Sequence, residues 1–413
     1  MAEAAQTIRR FLEQHREAET RFLAELVKVP SDNPPGDCTA HAEAAARLLE
    51  GLGLTVERHV VPEELVKANG MIGCTNLVVR KRFGDGPVVA LNAHGDVVPP
   101  GEGWTRDPYG AEIVDGWMYG RGVAVSKSDF ATYTFALLAL DAAVRSGVEL
   151  HGTVELHFTY DEEVGGEIGP RWLIEQGISN PDFALGAGFS YGVVTAHNGC
   201  LHLEVQVDGR SAHAAMPWTG VDALEAATHI LSRLYAWRKT LAERRSDIEG
   251  IGSPQLTIGL IKGGINTNVV PDRVTFRLDR RMVPEEFSEA VEAELVQVIG
   301  EAAKDFPEAK VTVRQVLLAR PLVPLEGGGR VTEILCQRAT EVMGEPVAAK
   351  GVPLYTDARH YAEKGIPIVL YGAGPRTIQE ANAHRADERL PLADLHKATE
   401  VVALTLLDLL SGR

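Results

Sequence analysis

Between about residues 200 and 316 the sequence changes its rhythm, and that change constrains the fold more than any other feature. On either side, short apolar runs alternate with stretches whose apolar residues recur at helical spacing. Residues 55–61, 75–80, 88–91 and 153–159 read as strands, and 44–52 and 130–144 as helices. Alternation of this kind predicts an α/β domain built on a doubly wound, mostly parallel sheet. Within the break the order is strand (201–207), helix (220–238), two strands (256–261 and 273–280), helix (284–303) and strand (310–316). That is the split βαββαβ pattern of ferredoxin-like α+β folds. The earlier rhythm resumes with a helix at 331–343, a strand at 368–371 and a helix at 395–410. The expectation is one large domain formed by residues 1–199 and 317–413, with a smaller domain, 200–316, inserted into it.

A parallel sheet places its ligand sites beyond the carboxyl ends of its strands. Three candidate groups fall there. The strand at 88–91 runs into His94-Gly95-Asp96, a histidine with a carboxylate two residues on. A metal-binding imidazole commonly donates its second N–H to such an acid. The strand at 153–159 ends in Asp161-Glu162-Glu163. Adjacent carboxylates repel, and a nearby cation offsets that cost, so one can ligate metal while its neighbour acts as general base. His384 follows the strand at 368–371. Together these are donors suited to zinc, manganese or cobalt. The inserted segment offers a second constellation: Ser211-Ala212-His213, Asn266 to Pro271, and Asp279-Arg280-Arg281. Histidine can support an oxyanion, asparagine can donate a hydrogen bond, and arginine can grip a carboxylate bidentately. Arg280 and Arg281 point to opposite faces of a strand, so at most one faces a ligand.

The formal charge is −16. It argues against nucleic acid or an anionic membrane as the main partner, though a local arginine still admits an anionic small molecule. The first residues hold no signal-like apolar stretch, and no run approaches about 18 apolar residues. A cytoplasmic protein is therefore expected. The four cysteines, Cys38, Cys74, Cys200 and Cys336, form no C-x-x-C pair and are expected to be reduced packing residues.

The motifs His94-Gly95-Asp96-Val97-Val98-Pro99, Gly120-Arg121-Gly122, Asp161-Glu162-Glu163, Ser211-Ala212-His213 with Pro217, Asn268-Val269-Val270-Pro271, Asp279-x-Arg281 and the late His384 occur in one order across almost the whole chain. In this the sequence resembles the acetylornithine deacetylase, succinyl-diaminopimelate desuccinylase and carboxypeptidase G family of metallopeptidases and aminoacylases. The resemblance implies hydrolysis of an amide near a carboxylate by two co-catalytic metal ions, with the inserted domain serving as a dimerisation lid. By matched position it makes His94 a ligand of the first metal, Asp96 its orienting acid and Glu162 the general base. Glu163 and His384 match ligands of the second metal. His213 matches a lid histidine that supports the oxyanion from a partner subunit, and Asn268 and Arg281 match groups that hold the substrate's carboxylate. Arg359, in Thr356-Asp357-Ala358-Arg359, matches a segment near the site, as a substrate contact or as support for the ligand loop.

Two positions depart from the pattern. Where the family places an aspartate bridging both metals, this chain has Val125. Where it places a carboxylate in a Gly-Glu-Pro-like turn, this chain reads Gly186-Ala187-Gly188-Phe189. One ion on His94, Glu163 and His384 with an open position is the three-ligand arrangement of catalytic zinc. Asp129 and His197 are the candidates for replacement ligands that would restore a second ion. Asp129 has an alternative as a cap of the helix predicted from Phe130. The sequence reading is thus a cytoplasmic, homodimeric hydrolase of an amide C–N bond in a small carboxylate-bearing substrate, an N-acyl amino acid or dipeptide. It uses one or two divalent ions per protomer, zinc first, with manganese or cobalt as alternatives. Hydrolytic deamination on the same scaffold, and a non-catalytic small-molecule binder, are the alternative readings.

Overall fold

The computed structural model describes residues 2–412 and divides into two compact units. One comprises the chain up to Thr195 with Pro324–Lys350 and everything from Thr356 onward. The other is Ala196–Val323 with Gly351–Tyr355. The inserted unit extends beyond the 200–316 read from the sequence at both ends and takes in the short segment Gly351–Tyr355.

The large sheet has eight strands in the order Val56–Val60, Thr75–Arg82, Thr153–Thr159, Val88–His94, Phe183–Gly186, Ile368–Leu370, Val193–His197 and Ala349–Val352. The central four, from Thr153–Thr159 to Ile368–Leu370, are mutually parallel. The first three in the order pair antiparallel to one another, and Val193–His197 pairs antiparallel to Ile368–Leu370. The parallel strands are almost wholly buried, as expected where helices cover both faces. Helix Lys127–Arg145 is buried through Phe130, Tyr133, Phe135 and Leu140, with Phe130 stacked on Phe158 at 3.9 Å. An aromatic pair of this kind adds roughly 0.5–1.5 kcal/mol beyond its burial. Helix Leu392–Leu410 buries Val401, Val402, Leu404, Leu406 and Leu407 in the same core.

The inserted unit is a four-stranded antiparallel sheet in the order Gln255–Gly263, Arg273–Met282, Gly199–Asp208, Lys310–Ala319. Leu201, Leu203, Val205 and Val207 pack on the helices Ala223–Arg238 and Ser288–Ala303 through Ala227, Ile230, Leu295 and Ile299. Both the chain order and the strand order are those of a ferredoxin-like fold. Asp222 caps the first helix, accepting from the N–H groups of Leu224 and Glu225 at 2.8 and 3.1 Å, worth about 1 kcal/mol. The second helix starts at Ser288 rather than near Pro284, because Glu286 folds back to accept from the Val283 N–H at 3.0 Å. No helix of the described residues is long and apolar enough to cross a membrane.

Candidate active site

The strand Val88–His94 delivers His94 to its buried carboxyl end. Ser126 fixes the backbone there. It accepts from the His94 N–H and donates to the His94 carbonyl, both at 3.0 Å. Gly95 is required by space, since a Cβ would lie 2.5 Å from the Tyr160 ring and 3.0 Å from Phe130. The ring Nδ1 is 2.9 Å from the Asp96 carbonyl oxygen and 3.4 Å from Asp96 Oδ1. Nδ1–H therefore donates to Asp96, and the main-chain oxygen is the nearer acceptor. With Nδ1 engaged in this way, Nε2 is the nitrogen that a metal would take.

Asp96 has a second task. It is fully buried, and its carboxylate accepts from the N–H groups of Glu162 and Glu163 at 3.3 and 3.1 Å and from Asn33 Nδ2 at 3.0 Å. One acid thus orients the histidine and sets the loop that carries both glutamates. That loop is also held from the far side. Arg359 Nη2 donates to the Gly165 carbonyl at 2.5 Å, and His360 Nε2 lies 2.8 Å from the same oxygen. Arg359 thus braces the loop that carries Glu162 and Glu163.

Glu162 Oε2 is 3.9 Å from His94 Nε2, and Glu163 Oε1 is 3.3 Å from His384 Nε2. His384 sits in left-handed backbone, φ 62°, between Asn382 at 51° and Asp387 at 56°. The loop keeps this shape through Asn382 Nδ2, which donates to the Asp387 carbonyl at 3.3 Å. The buried Arg121–Glu388 pair, at 2.6 Å, also holds it. A small sheet in the order Arg389–Pro391, Trp117–Tyr119, Glu112–Val114 ties the same segment to the turn at residues 120–122.

The carboxyls of Asp96, Glu162, Glu163 and Asp357 thus share this corner of the large unit with the imidazoles of His94 and His384. Burial raises Glu162, with His94 opposing and Glu163 and Asp96 adding to the rise. Burial disfavours charge on His94, yet Glu162, Asp96 and Glu163 outweigh it and raise the imidazole. Asp357 is raised by burial and then by Glu162, and its buried Oδ2 has no hydrogen-bond partner among the described residues. Excess buried negative charge with lone pairs turned inward is the environment a divalent cation stabilises. Zinc bonds of about 2.0–2.1 Å at tetrahedral angles place neighbouring N and O donors about 3.3–3.4 Å apart, close to the Glu163–His384 separation. Among the described residues, the donor atoms of His94, Glu162 and Glu163 lie close enough together to share one ion, and His384 joins the group only through Glu163.

The donor set does not fit the usual pair of ions. Val125 offers no donor, and residues 186–189 offer no side-chain oxygen. Asp129, a candidate replacement ligand, is committed elsewhere. Its oxygens accept from the Ala373 N–H at 2.7 Å and the Gly188 N–H at 3.3 Å, and burial pushes its carboxyl up to about 7. It ties two loops together, and it does not cap the helix, which begins two residues earlier at Lys127. His197, the other candidate, belongs to the inserted unit, where its Nδ1 lies 2.9 Å from the Asn198 carbonyl oxygen.

His213, Asn268 and Arg281 also belong to the inserted unit. The first two sit on adjoining loops: His213 bridges Val269, and the Ala214 N–H donates to the Asn268 carbonyl at 3.0 Å. His213 is exposed, and its Nδ1 accepts from the Ala215 N–H at 3.1 Å. Its hydrogen therefore resides on Nε2, which is free to donate. Arg280 is fully buried against Glu286 at 2.5 Å, whereas Arg281 is half-buried on the opposite face. Only Arg281 is available to a ligand. Asn33, Asp357, Arg121 and Glu388 were missed as site residues by the sequence reading. In sequence each is a polar residue in a loop, and nothing marks it as buried.

Residues 90–408 match the family described as Peptidase family M20/M25/M40. The chain is 29% identical to acetylornithine deacetylase of Myxococcus xanthus, covering 95% of this chain and 97% of that one. It is 25% identical to succinyl-diaminopimelate desuccinylase of a Nitratiruptor species, covering 77% and 85%. Its fold is similar to that of the Bacillus subtilis YXEP protein, a dinuclear metal-binding peptidase from the M20 family. The TM-score is 0.67 at 18% identity, covering 96% and 99%.

Proposed function

This chain belongs to peptidase family M20/M25/M40 and is a metallohydrolase, and we propose that it cleaves the amide C–N bond of a small carboxylate-bearing substrate, an N-acyl amino acid or a dipeptide, with a single catalytic ion. One observation carries the reading. A half-buried glutamate with a raised carboxyl, Glu162, lies 3.9 Å from Nε2 of His94, beside the Glu163–His384 pair at 3.3 Å. A base next to a ligand set is what amide hydrolysis needs and what a binding module has no use for.

His94, Glu163 and His384 would hold the ion, zinc by donor type. When bound, it supplies the positive charge that polarises the amide carbonyl and acidifies the attacking water. The chain's own groups do the rest. Glu162 takes the proton of the attacking water and delivers it to the leaving nitrogen, and its burial keeps its proton affinity high enough for both transfers. Asp96 holds His94 in one tautomer and holds the Glu162 backbone in place. His213 donates from Nε2 to the oxyanion, and Asn268 and Arg281 hold the substrate's carboxylate. The roles of those three rest on the motif resemblance and on the tautomer and exposure found within their own unit. The same resemblance supports a homodimer in which His213 is supplied by the partner subunit, and the sequence supports a cytoplasmic location.

A panel of N-acyl amino acids and dipeptides, assayed for free amine, tests the reading. Glu162→Gln is expected to lower kcat by at least about 10²-fold while bound metal per chain is unchanged. Undiminished turnover in that variant would refute the assignment of the base.

A further inference from the structure

The sheet of the inserted unit carries a second polar cluster, of which the hydrolysis above uses Arg281 alone. On strand Gly199–Asp208, Leu201, Leu203, Val205 and Val207 are buried under the helices, so Cys200 and His202 share the opposite face. The antiparallel neighbour pairs His202 with Asp279 and Cys200 with Arg281. Two residues from each strand therefore meet on one face. Cys200 Sγ lies 3.2 Å from His202 Nε2 and 3.7 Å from Asp279 Oδ1. His202 Nε2 lies 3.2 Å from Asp279 Oδ2. Arg281 braces the same carboxylate, with Nε 3.0 and 3.2 Å from its two oxygens and Nη2 3.1 Å from Oδ2.

We propose that Cys200, His202 and Asp279 form a binding site for a thiophilic divalent transition-metal ion of the zinc class. The chemistry suits it: thiolate, imidazole and carboxylate together select zinc or cobalt over magnesium or calcium. The spacing suits it too. Bonds of about 2.3 Å to sulfur and about 2.0–2.1 Å to nitrogen or oxygen, at tetrahedral angles, place three such donors about 3.3–3.6 Å apart. Proton counting gives an independent argument. His202 Nε2 faces both Sγ and Oδ2 at the same 3.2 Å. A ring nitrogen holds one hydrogen or one lone pair, so it cannot make a full hydrogen bond to each. A cation between the three atoms attracts all of them at once. Arg281 then orients the ligating carboxylate and offsets part of the thiolate and carboxylate charge. Cys200 is buried, while the side chains of His202 and Asp279 are 36% and 28% exposed. An ion enters from solvent, and water completes a four-coordinate shell.

The test is cobalt(II) titration of the full-length protein, read by the near-ultraviolet thiolate-to-cobalt charge-transfer band. No cysteine belongs to the His94, Glu162, Glu163 and His384 group, so the band separates this site from the catalytic one and is blind to whether the proposed hydrolysis is correct. The expected result is a band that saturates at one equivalent per chain and persists in Glu163→Gln. It disappears in Cys200→Ser and weakens at least tenfold in affinity in Asp279→Asn. Asp279→Asn changes a partly exposed position and so guards against loss through misfolding of the cysteine variant. Absence of the band in the native protein, or a band unchanged in folded Cys200→Ser, overturns the proposal.

Discussion

Replacing Glu388 with glutamine is expected to destabilise the protein by about 3–5 kcal/mol, the range for removing one partner of a buried ion pair. Arg121 and Glu388 are each 1% exposed and lie 2.6 Å apart. Glu388 also accepts from the N–H groups of Ala124 and Val125 at 3.1 and 3.3 Å. Arg121 donates to the carbonyls of Pro100 and Arg385 at 3.1 and 3.2 Å. Burial raises the Glu388 carboxyl even though Arg121 pulls it down, so the pair does not fully offset the cost of dehydrating the carboxylate. What makes the single change costly is the guanidinium left behind, charged and out of reach of water. Arg121→Met should cost a similar amount by orphaning the carboxylate. The double variant leaves no buried charge, so its cost should fall short of the sum by about 2–3 kcal/mol. Urea denaturation of all four proteins at one pH, with m unchanged, measures this coupling. Because the pair anchors the chain just beyond His384, Glu388→Gln should also weaken metal affinity about 10–100-fold. Additivity within about 0.5 kcal/mol would refute the reasoning.

Three further outcomes are expected. Lys127 is fully buried with Nζ donating to the Val29 carbonyl at 3.1 Å, and burial lowers its ammonium from 10.5 to about 7. The folded state then binds fewer protons than the unfolded chain between those values, so stability should rise with pH across that window, by up to roughly 4–5 kcal/mol; Lys127→Met should flatten the profile in denaturation measured from pH 7 upward, and identical slopes would count against it. A Cβ at Gly372 would lie 2.0 Å from Asp129 Oδ1, so Gly372→Ala should displace that carboxylate from two amides and cost about 2–4 kcal/mol, read by thermal unfolding. Removal of metal by chelation should end turnover and lower the unfolding free energy by about 2.7 kcal/mol relative to protein held at one hundred times the dissociation constant; chelator-insensitive turnover would contradict metal dependence.

The parts of this fold that the sequence reveals are those where burial dictates residue type. The strands ending at His94 and Thr159 are apolar because both faces are covered, so their positions and the polar residues just beyond them stand out. The direction of the outer strands leaves no such mark. Thr75–Arg82 is antiparallel to Thr153–Thr159, yet its composition would suit either sense. The start of helix Lys127–Arg145 was hidden for a related reason: its first turn, Lys127-Ser128-Asp129, is buried yet polar and carries no apolar periodicity. Within the site, His94, Asp96, Glu162 and Glu163 are legible because two-residue and adjacent spacings keep them together whatever the loop does. His384 joins them across more than two hundred residues, and its place after the strand at 368–371 and the motif order pointed to it. Arg121 and Asp357 stand in segments that the motif order picks out, but the burial of these two, and of Asn33 and Glu388, is purely tertiary and leaves no local mark.

The missing ligands at Val125 and residues 186–189 leave open one ion on His94, Glu163 and His384, a site rebuilt by Asp129 or His197, or a non-catalytic binder. The loops that would carry those ligands are held by hydrogen bonds instead. The Ala187 N–H donates to the Asn92 carbonyl at 2.8 Å, Gly188 and Ala373 are joined through Asp129, and the Val125 N–H is held by Glu388. Ser126, next to Val125, makes two hydrogen bonds to the His94 backbone. A site decaying by drift would lose its orienting groups along with its ligands, because once no ion is bound their burial is a cost with no return. Here Asp96 remains fully buried with three donors on it, although an apolar residue in its place would remove a dehydrated charge from the core. Its retention is explained if His94 and Glu162 still need fixed positions. That requirement comes from chemistry at the Glu162 side of the site, where the donors survive.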